Sequence, residues 1–405
     1  MRGFFKIIFK STVIFFSTTS CVFAAEKKSP IILIHSEFLG PWSMELVAKE
    51  LRSNGYSVII PALPNLKNDS HISSVKSITF DDYVNTIVNE LDKQNGKAIL
   101  LGQGFSGTII SEAAEKRPEK IKTLIYLAGG LLPKDTSYYD IIINSDSLLK
   151  RNLIINDANG TITVNSDNLQ ETFAQDFSNE NLKLIEKFNI SSPMLPFLHR
   201  VVMSEEKSGK IPKYYIQTLR DNALPQSEQK YMYSNTQVKQ VFSITSGHFP
   251  NLSQPQKVAD IIKTINIIEN NPVAKNTELK VTKDIIAATD NWERGFNLDA
   301  ENKIAKNTIS VYSEDAILQS IPVSFGNAEG KGNIQKYWQT VLNTGANNMK
   351  YLDRKVIVVD ENTALLSSPW SMNKFKGIIT LEKWIKKNNN WTLVEDNFEA
   401  TEFLN

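Results

Sequence analysis

Cysteine is nearly absent from this chain: Cys21 is the only one in 405 residues. It falls inside an expected N-terminal leader, so the mature chain would carry none. That excludes a disulfide framework, thiolate catalysis and cysteine-based metal sites. Histidine is scarce as well, with four in the chain. An excess of charge of either sign is also missing, because 45 Lys and Arg face 44 Asp and Glu for a net charge of +1. With acids and bases interspersed, nothing points to nucleic acid or an anionic membrane surface, and a small molecule is the expected ligand or substrate. Metal-binding clusters and phosphate loops do not occur. Gly102 and Gly104 lack the third glycine and acidic partner of a dinucleotide fingerprint. Neither a metal nor a cofactor is therefore expected.

What is there begins with Arg2, Lys6 and Lys10, followed by Val13, Ile14, Phe15 and Phe16 and then Val22-Phe23-Ala24. A basic start, a short apolar run and a small-residue cleavage site are expected to make residues 1–24 a secretory signal peptide. The apolar run is shorter than the roughly 20 residues of a membrane span. The predicted location is periplasmic or extracellular, with lipid anchoring at Cys21 as the alternative. At 41% hydrophobic and 22% charged residues, the rest has a globular composition, and a chain this long can be stabilised by core burial alone.

The apolar runs at 29–35, 57–63, 97–101, 123–127, 213–219 and 240–245 read as buried parallel strands. Helices alternate with them. The clearest starts at Thr79, pairs it with Asp82 in a capping box, and places Phe80, Tyr83, Val84, Ile87, Val88 and Leu91 on one stripe. Such alternation predicts an α/β, doubly wound sheet over 25–269, and its lapse over about 131–210 predicts a cap inserted over the site. A polar stretch at 270–278 reads as a linker. Over 279–405 the order becomes a long helix through Ile285, Trp292 and Phe296, a shorter element to Tyr312, a helix around 334–342, and strands at 355–360, 363–370, 375–386 and 391–399. Helices followed by antiparallel strands predict a separate α+β domain.

The segment Gly102-Gln103-Gly104-Phe105-Ser106-Gly107 looks like a nucleophile elbow whose central serine has become Gly104. On this elbow the first domain resembles the α/β-hydrolase superfamily, specifically the small-ester carboxylesterases that include plant methylesterases and hydroxynitrile lyases. The likeness runs from Ile32-Leu33-Ile34-His35-Ser36-Glu37-Phe38-Leu39-Gly40-Pro41-Trp42, through the elbow and Ile125-Tyr126-Leu127-Ala128-Gly129, to two closing segments. These are Asp221-Asn222-Ala223-Leu224-Pro225, matching the family's Asp-x-x-x-Pro acid, and Gly247-His248, matching its general base. The resemblance implies carboxylic-ester hydrolysis, with His248 as base and Asp221 as the acid that fixes its tautomer.

The departures from that pattern gather at the reacting centre. Gly104 replaces the nucleophile, Gln103 the usual preceding histidine, and Ser106 the following glycine. Ser36, Glu37, Phe38 and Phe105 form the expected oxyanion-hole wall, where Glu37 takes the place of a small residue and its charge would oppose a developing oxyanion. Loss of a serine nucleophile costs on the order of 10⁶ in turnover. Three readings stay open: a non-catalytic binder of a small apolar or ester-like ligand, a hydrolase using Ser106, and a His248–Asp221 base dyad without a serine nucleophile, as in the superfamily's cofactor-free dioxygenases.

Trp292-Glu293-Arg294-Gly295-Phe296, Tyr312-Ser313-Glu314-Asp315-Ala316 and Trp391-Thr392-Leu393-Val394-Glu395-Asp396-Asn397 are similar to the cone fold (cystatin-like roll) shared by nuclear transport factor 2 and ketosteroid isomerase. This resemblance implies an apolar pocket and a homodimer through the sheet. Asp315 and Asp396 are the candidate pocket carboxylates, each read first as a cap or a solvated group. The tryptophans are expected in the core.

Overall fold

A computed structural model describes residues 28–64, 77–187, 191–270, 272–322 and 326–404. The expected signal peptide and Cys21 lie outside the described residues. The first unit alternates β1 (Ile31–Ile34), α1 (Glu45–Ser53), β2 (Val58–Ile59), α2 (Phe80–Asp92), β3 (Ala98–Gln103), α3 (Ser106–Lys116) and β4 (Ile121–Leu127). After an insertion it resumes with β8 (Lys213–Thr218), α7 (Gln226–Ser234), β9 (Gln240–Ile244), α8 (Pro250–Ser253) and α9 (Pro255–Asn270). The strands form one parallel sheet in the order β2-β1-β3-β4-β8-β9. Helices cover both faces, so every residue of β1, β3 and β8 is buried, and these strands read as continuous apolar runs because neither side meets water.

Local chemistry fixes the boundaries. Thr79 caps α2 by accepting from the Asp82 N–H, while Asp82 returns a bond to the Thr79 N–H, and the six apolar residues of the stripe are all buried. The insertion between β4 and β8 carries α4 (Tyr138–Asn144), α5 (Leu148–Asn152), α6 (Leu169–Phe173) and a small antiparallel sheet of β5 (Leu153–Asn156), β6 (Thr161–Val164) and β7 (Ser192–Pro193). Its aromatic residues reach down onto the end of β3: Phe197 stacks on Phe105 at 4.4 Å between ring centroids.

The second unit begins with α10 (Lys275–Asn302), whose first turn lies inside the stretch assigned from sequence to a linker. Then follow β10 (Tyr312–Ile321), β11 (Asn327–Glu329), α11 (Lys331–Asn343), β12 (Lys350–Tyr351), β13 (Lys355–Asp360), β14 (Thr363–Ser371), β15 (Phe375–Lys387) and β16 (Asn390–Phe403). The sheet is mixed. It runs β11-β10-β16-β15-β14-β12, with β13 beside β14, and β10 pairs in parallel with β16. On one face Trp292 and Phe296 of α10 and Trp338 of α11 pack with Trp384, Leu393 and Phe398 into a single core. From the other face Val359, Leu365 and Leu381 join a cluster with Phe242, Ile244, Val258 and Ile262 of the first unit. Part of the face expected to pair two copies is thus covered by the chain's own first domain. Gln240 adds a hydrogen bond to the Thr380 carbonyl, 2.5 Å, and Lys230 an ion pair to Glu399, 2.6 Å.

Candidate active site

The turn between β3 and α3 sets the site. Gly104 has φ of +54°, a left-handed conformation in which glycine carries no Cβ penalty and a serine would be strained by roughly 1 to 3 kcal/mol. Its carbonyl accepts from the Gly107 N–H at 3.1 Å and the Gly130 N–H at 2.8 Å, which fastens the turn to the end of β4.

Glu37 fills the space that the missing side chain would need. A Cβ built on Gly104 would lie 2.6 Å from Glu37 Oε2 and closer still to Ser36 Oγ. Glu37 is 3% exposed, and its carboxylate is held by three donors. Oε2 accepts from the Phe105 backbone N–H at 2.7 Å and the Ser36 hydroxyl at 2.5 Å, and Oε1 from the Tyr138 hydroxyl at 3.2 Å. The N–H that follows an elbow nucleophile is an oxyanion-hole donor, and here the chain's own anion occupies it. Burial, then the charge of Glu37, pushes the Tyr138 phenol well above its ordinary range, so it stays a donor.

His248 and Asp221 stand together on the loops after β9 and β8. Nδ1 of His248 is 2.7 Å from Asp221 Oδ2, with both side chains fully enclosed. The carboxylate is oriented by the Thr218 hydroxyl on Oδ2 at 2.7 Å and by the N–H groups of Ala223 and Leu224 on Oδ1 at 2.9 and 2.8 Å. Burial pulls the imidazole pKa down, but the charge and hydrogen bond of Asp221, with the charge of Glu37, outweigh it and raise it above the usual value. Nε2 of His248 is buried without a partner.

Ser106 is not part of this group. It lies in the first turn of α3, and its hydroxyl donates to the His35 carbonyl at 2.5 Å and makes no bond to the free His248 nitrogen. Gln103 bonds the His248 carbonyl at 3.2 Å and Asn251 Oδ1 at 2.6 Å, so it anchors the loop carrying the histidine. Phe38 has φ of +61° and packs on Phe173 and Phe197 in the wall. Burial without a charged partner lowers the other histidine of this region, His35, to about 4.

The alpha/beta hydrolase family matches residues 31–261, more than half of the chain. The chain belongs to the alpha/beta hydrolase family. Among its relatives, a putative chloroplastic methylesterase 11 of Arabidopsis thaliana is 26% identical over 247 residues, which span 58% of this chain and 63% of that protein. A pyrethroid hydrolase of Sphingobium wenxiniae is 27% identical over 243 residues, 57% of this chain and 85% of that one. The solved structure of a pyrethroid hydrolase from Sphingobium faniae JZ-2 superposes with a TM-score of 0.54 at 25% identity, over 60% of this chain and 98% of that chain. These relatives carry the names of a methylesterase and of pyrethroid hydrolases, and the likeness covers the same region of this hydrolase-family chain.

Beyond the matched region, the hydrolase-family chain holds a second group of buried carboxyls. Asp315 is exposed in β10, whereas Asp396 is buried in β16. The first reading of Asp396, as a cap or a solvated group, is therefore corrected. Glu382 of β15, which sequence reasoning missed, faces it directly across the strand pair. Tyr312 donates to Asp396 at 2.5 Å, and Tyr351 and Trp384 donate to Glu382 at 2.6 and 2.8 Å. Burial, together with the facing Asp396, pushes Glu382 up to about 8, and burial pushes Asp396 up to about 7. Both carboxyls line a cavity of about 490 Å³. Among the described residues no group of His, Asp and Glu side chains is arranged to hold a metal ion, and no helix is long and apolar enough to cross a membrane.

Proposed function

We propose that the first domain binds a small apolar, ester-like molecule and forms no acyl-enzyme with it. The observation that carries this reading is the Glu37 carboxylate, 2.6 Å from the Cβ position of Gly104 and bonded to the Phe105 N–H. It takes the space of the nucleophile and one donor that would stabilise a tetrahedral oxyanion. Ser106 offers no substitute, since its proton is committed to His35. The apolar character of the ligand follows from the aromatic wall of Phe38, Phe105, Phe173 and Phe197.

The reading is tested by hydrolysis of short-chain chromogenic esters with purified protein beside His248→Ala. No turnover that depends on His248 is expected; turnover lost with His248 would overturn it. A second reading rests on the free His248 Nε2: the dyad accepts a proton from a substrate without nucleophilic attack, a contribution of about 10² to 10⁴ in rate. Deuterium exchange at an acidic C–H of a bound ligand, dependent on His248, would distinguish it from binding alone.

We also infer export of the chain, on the basic and apolar pattern of residues 1–24 and the small residues before position 25. Amino-terminal sequencing of the mature protein is the test. The second unit is read as a cone fold, supported by two helices lying on one face of a mixed sheet.

A further inference from the structure

The cavity of the second unit is separate from the hydrolase site, and its inference is independent of the function proposed above. Its volume, about 490 Å³, lies within the roughly 300 to 1,000 Å³ of small-molecule sites. Trp292, Trp338, Trp370, Tyr351 and Phe398 line it and pack on one another, which makes its walls aromatic.

Glu382 and Asp396 belong to the same lining and face one another across β15 and β16. Their neighbours treat them as acceptors. Trp338 Nε1 donates to the Tyr312 hydroxyl at 3.0 Å, which directs the phenol proton to Asp396 Oδ2. Tyr351 and Trp384 donate to the two oxygens of Glu382. The remaining oxygen, Asp396 Oδ1, makes no hydrogen bond among the described residues, although the residue is only 4% exposed. It is not one of the side-chain atoms enclosed without a partner, so it is open to the cavity that Asp396 lines.

What the pair lacks is a positive charge. Among the described residues neither carboxyl has an ion pair within this lining: Arg354, whose charge acts on Glu382, is bound to Asp290 and Glu293, and Lys336 is exposed. A buried carboxylate without a counter-charge is costly, and the pair avoids that cost by keeping its protons. A cation entering the cavity would replace the Asp396 proton, which leaves to solvent, and aromatic walls attract cations further. A neutral molecule supplies no such counter-charge.

We propose that this cavity binds an apolar amine as its ammonium ion, which donates to Asp396 Oδ1 while its hydrocarbon part lies against the tryptophans.

The test uses the full chain and two probes of one shape, 2-(aminomethyl)naphthalene and 2-(hydroxymethyl)naphthalene, with binding read by calorimetry at pH 8. The amine is expected to bind about tenfold or more tightly than the alcohol, the worth of a hydrogen bond between charged groups. In Asp396→Asn the amide oxygen still accepts from Tyr312 but the charge is gone. Amine affinity should then fall about tenfold or more, while alcohol affinity changes little and reports that the variant keeps its cavity. In the native chain amine affinity should fall from pH 8 to pH 6, because Asp396 and Glu382 take up protons while the amine stays charged. Tyr312, Tyr337 and Tyr351 beside the pair are held above their ordinary range by burial and do not titrate there. Equal affinity for amine and alcohol, amine binding that survives Asp396→Asn or ignores pH, or no binding of the amine would each overturn the proposal.

Discussion

The carboxylate of Glu37 and the backbone of Gly104 exclude a side chain from each other's space: Oε2 lies 2.6 Å from where the Cβ of residue 104 would stand. The two substitutions are therefore one structural change. A glycine at the elbow makes room for the glutamate, and the glutamate satisfies the Phe105 N–H that an absent substrate oxyanion would otherwise leave free.

It follows that Gly104→Ser alone will not restore esterase activity. The new side chain meets Glu37 and Ser36, and displacing Glu37 removes its hydrogen bonds within a closed site. Gly104→Ser with Glu37→Ala and Ser36→Gly should recover part of the roughly 10⁶ that a serine nucleophile contributes. Chromogenic ester turnover, compared among the single, double and triple variants, checks this; equal rates for single and triple variants would contradict it.

Ser106→Ala should leave any ester turnover unchanged, and a fluorophosphonate should leave no adduct on Ser106. The same change should cost about 1 to 3 kcal/mol of stability, because the His35 carbonyl would lose its buried donor. Intact-protein mass spectrometry and urea denaturation measure the two effects. An adduct at Ser106 would reinstate it as a nucleophile.

Much of the first domain was legible because local and tertiary signals agree. The stripe of α2 and its Thr79–Asp82 cap could be read directly, as could the apolar strands flanking the elbow. Asp221 and His248 could be selected as motifs, but the carboxylate–imidazole contact depends on two loops meeting. The position of Glu37 above Gly104 depends on the same kind of meeting. β10 was not legible as a strand from Tyr312 onward, since Ser313, Gln319 and Ser320 are buried polar residues that blur its alternation. Glu382 was hidden for a different reason. A register shift between Lys383 and Trp384 brings it opposite Asp396, and a bulge of that kind leaves no mark in the pattern of residues.

The two units should unfold as one, because Leu381 of β15 is 1% exposed and shares a cluster with Phe242, Ile244 and Val258 of the first unit. Five of the six tryptophans lie in the second unit, so fluorescence follows chiefly that unit while circular dichroism follows both. The two probes should coincide in urea for the native chain. Leu381→Asp buries an unpaired charge at the contact and should separate them. Coincident curves in the variant would mean that the contact contributes little.

The facing carboxyls predict a pH dependence whose sign is opposite to that of an ordinary salt-bridged acid. In the unfolded chain Asp and Glu release their protons near pH 4, while burial holds the proton on Glu382 to about pH 8 and on Asp396 to about pH 7. Between those limits the folded state binds more protons than the unfolded one, so stability falls as pH rises, by at most about 1.4 kcal/mol per pH unit for each group. His248, with its raised pKa, acts in the same direction: its contribution is present below about pH 6.5 and is lost as pH rises through its folded value. Glu382→Gln with Asp396→Asn separates the two sources. Asparagine can still accept from Tyr312, and the single oxygen of glutamine from Trp384 while its amide donates to the Tyr351 hydroxyl, and neither side chain can ionise. The Tm of the native chain should fall from pH 5 to pH 8, and the double variant should lose most of that fall while retaining the part due to His248. Parallel Tm curves for the two proteins would show that the carboxyls do not carry the linkage.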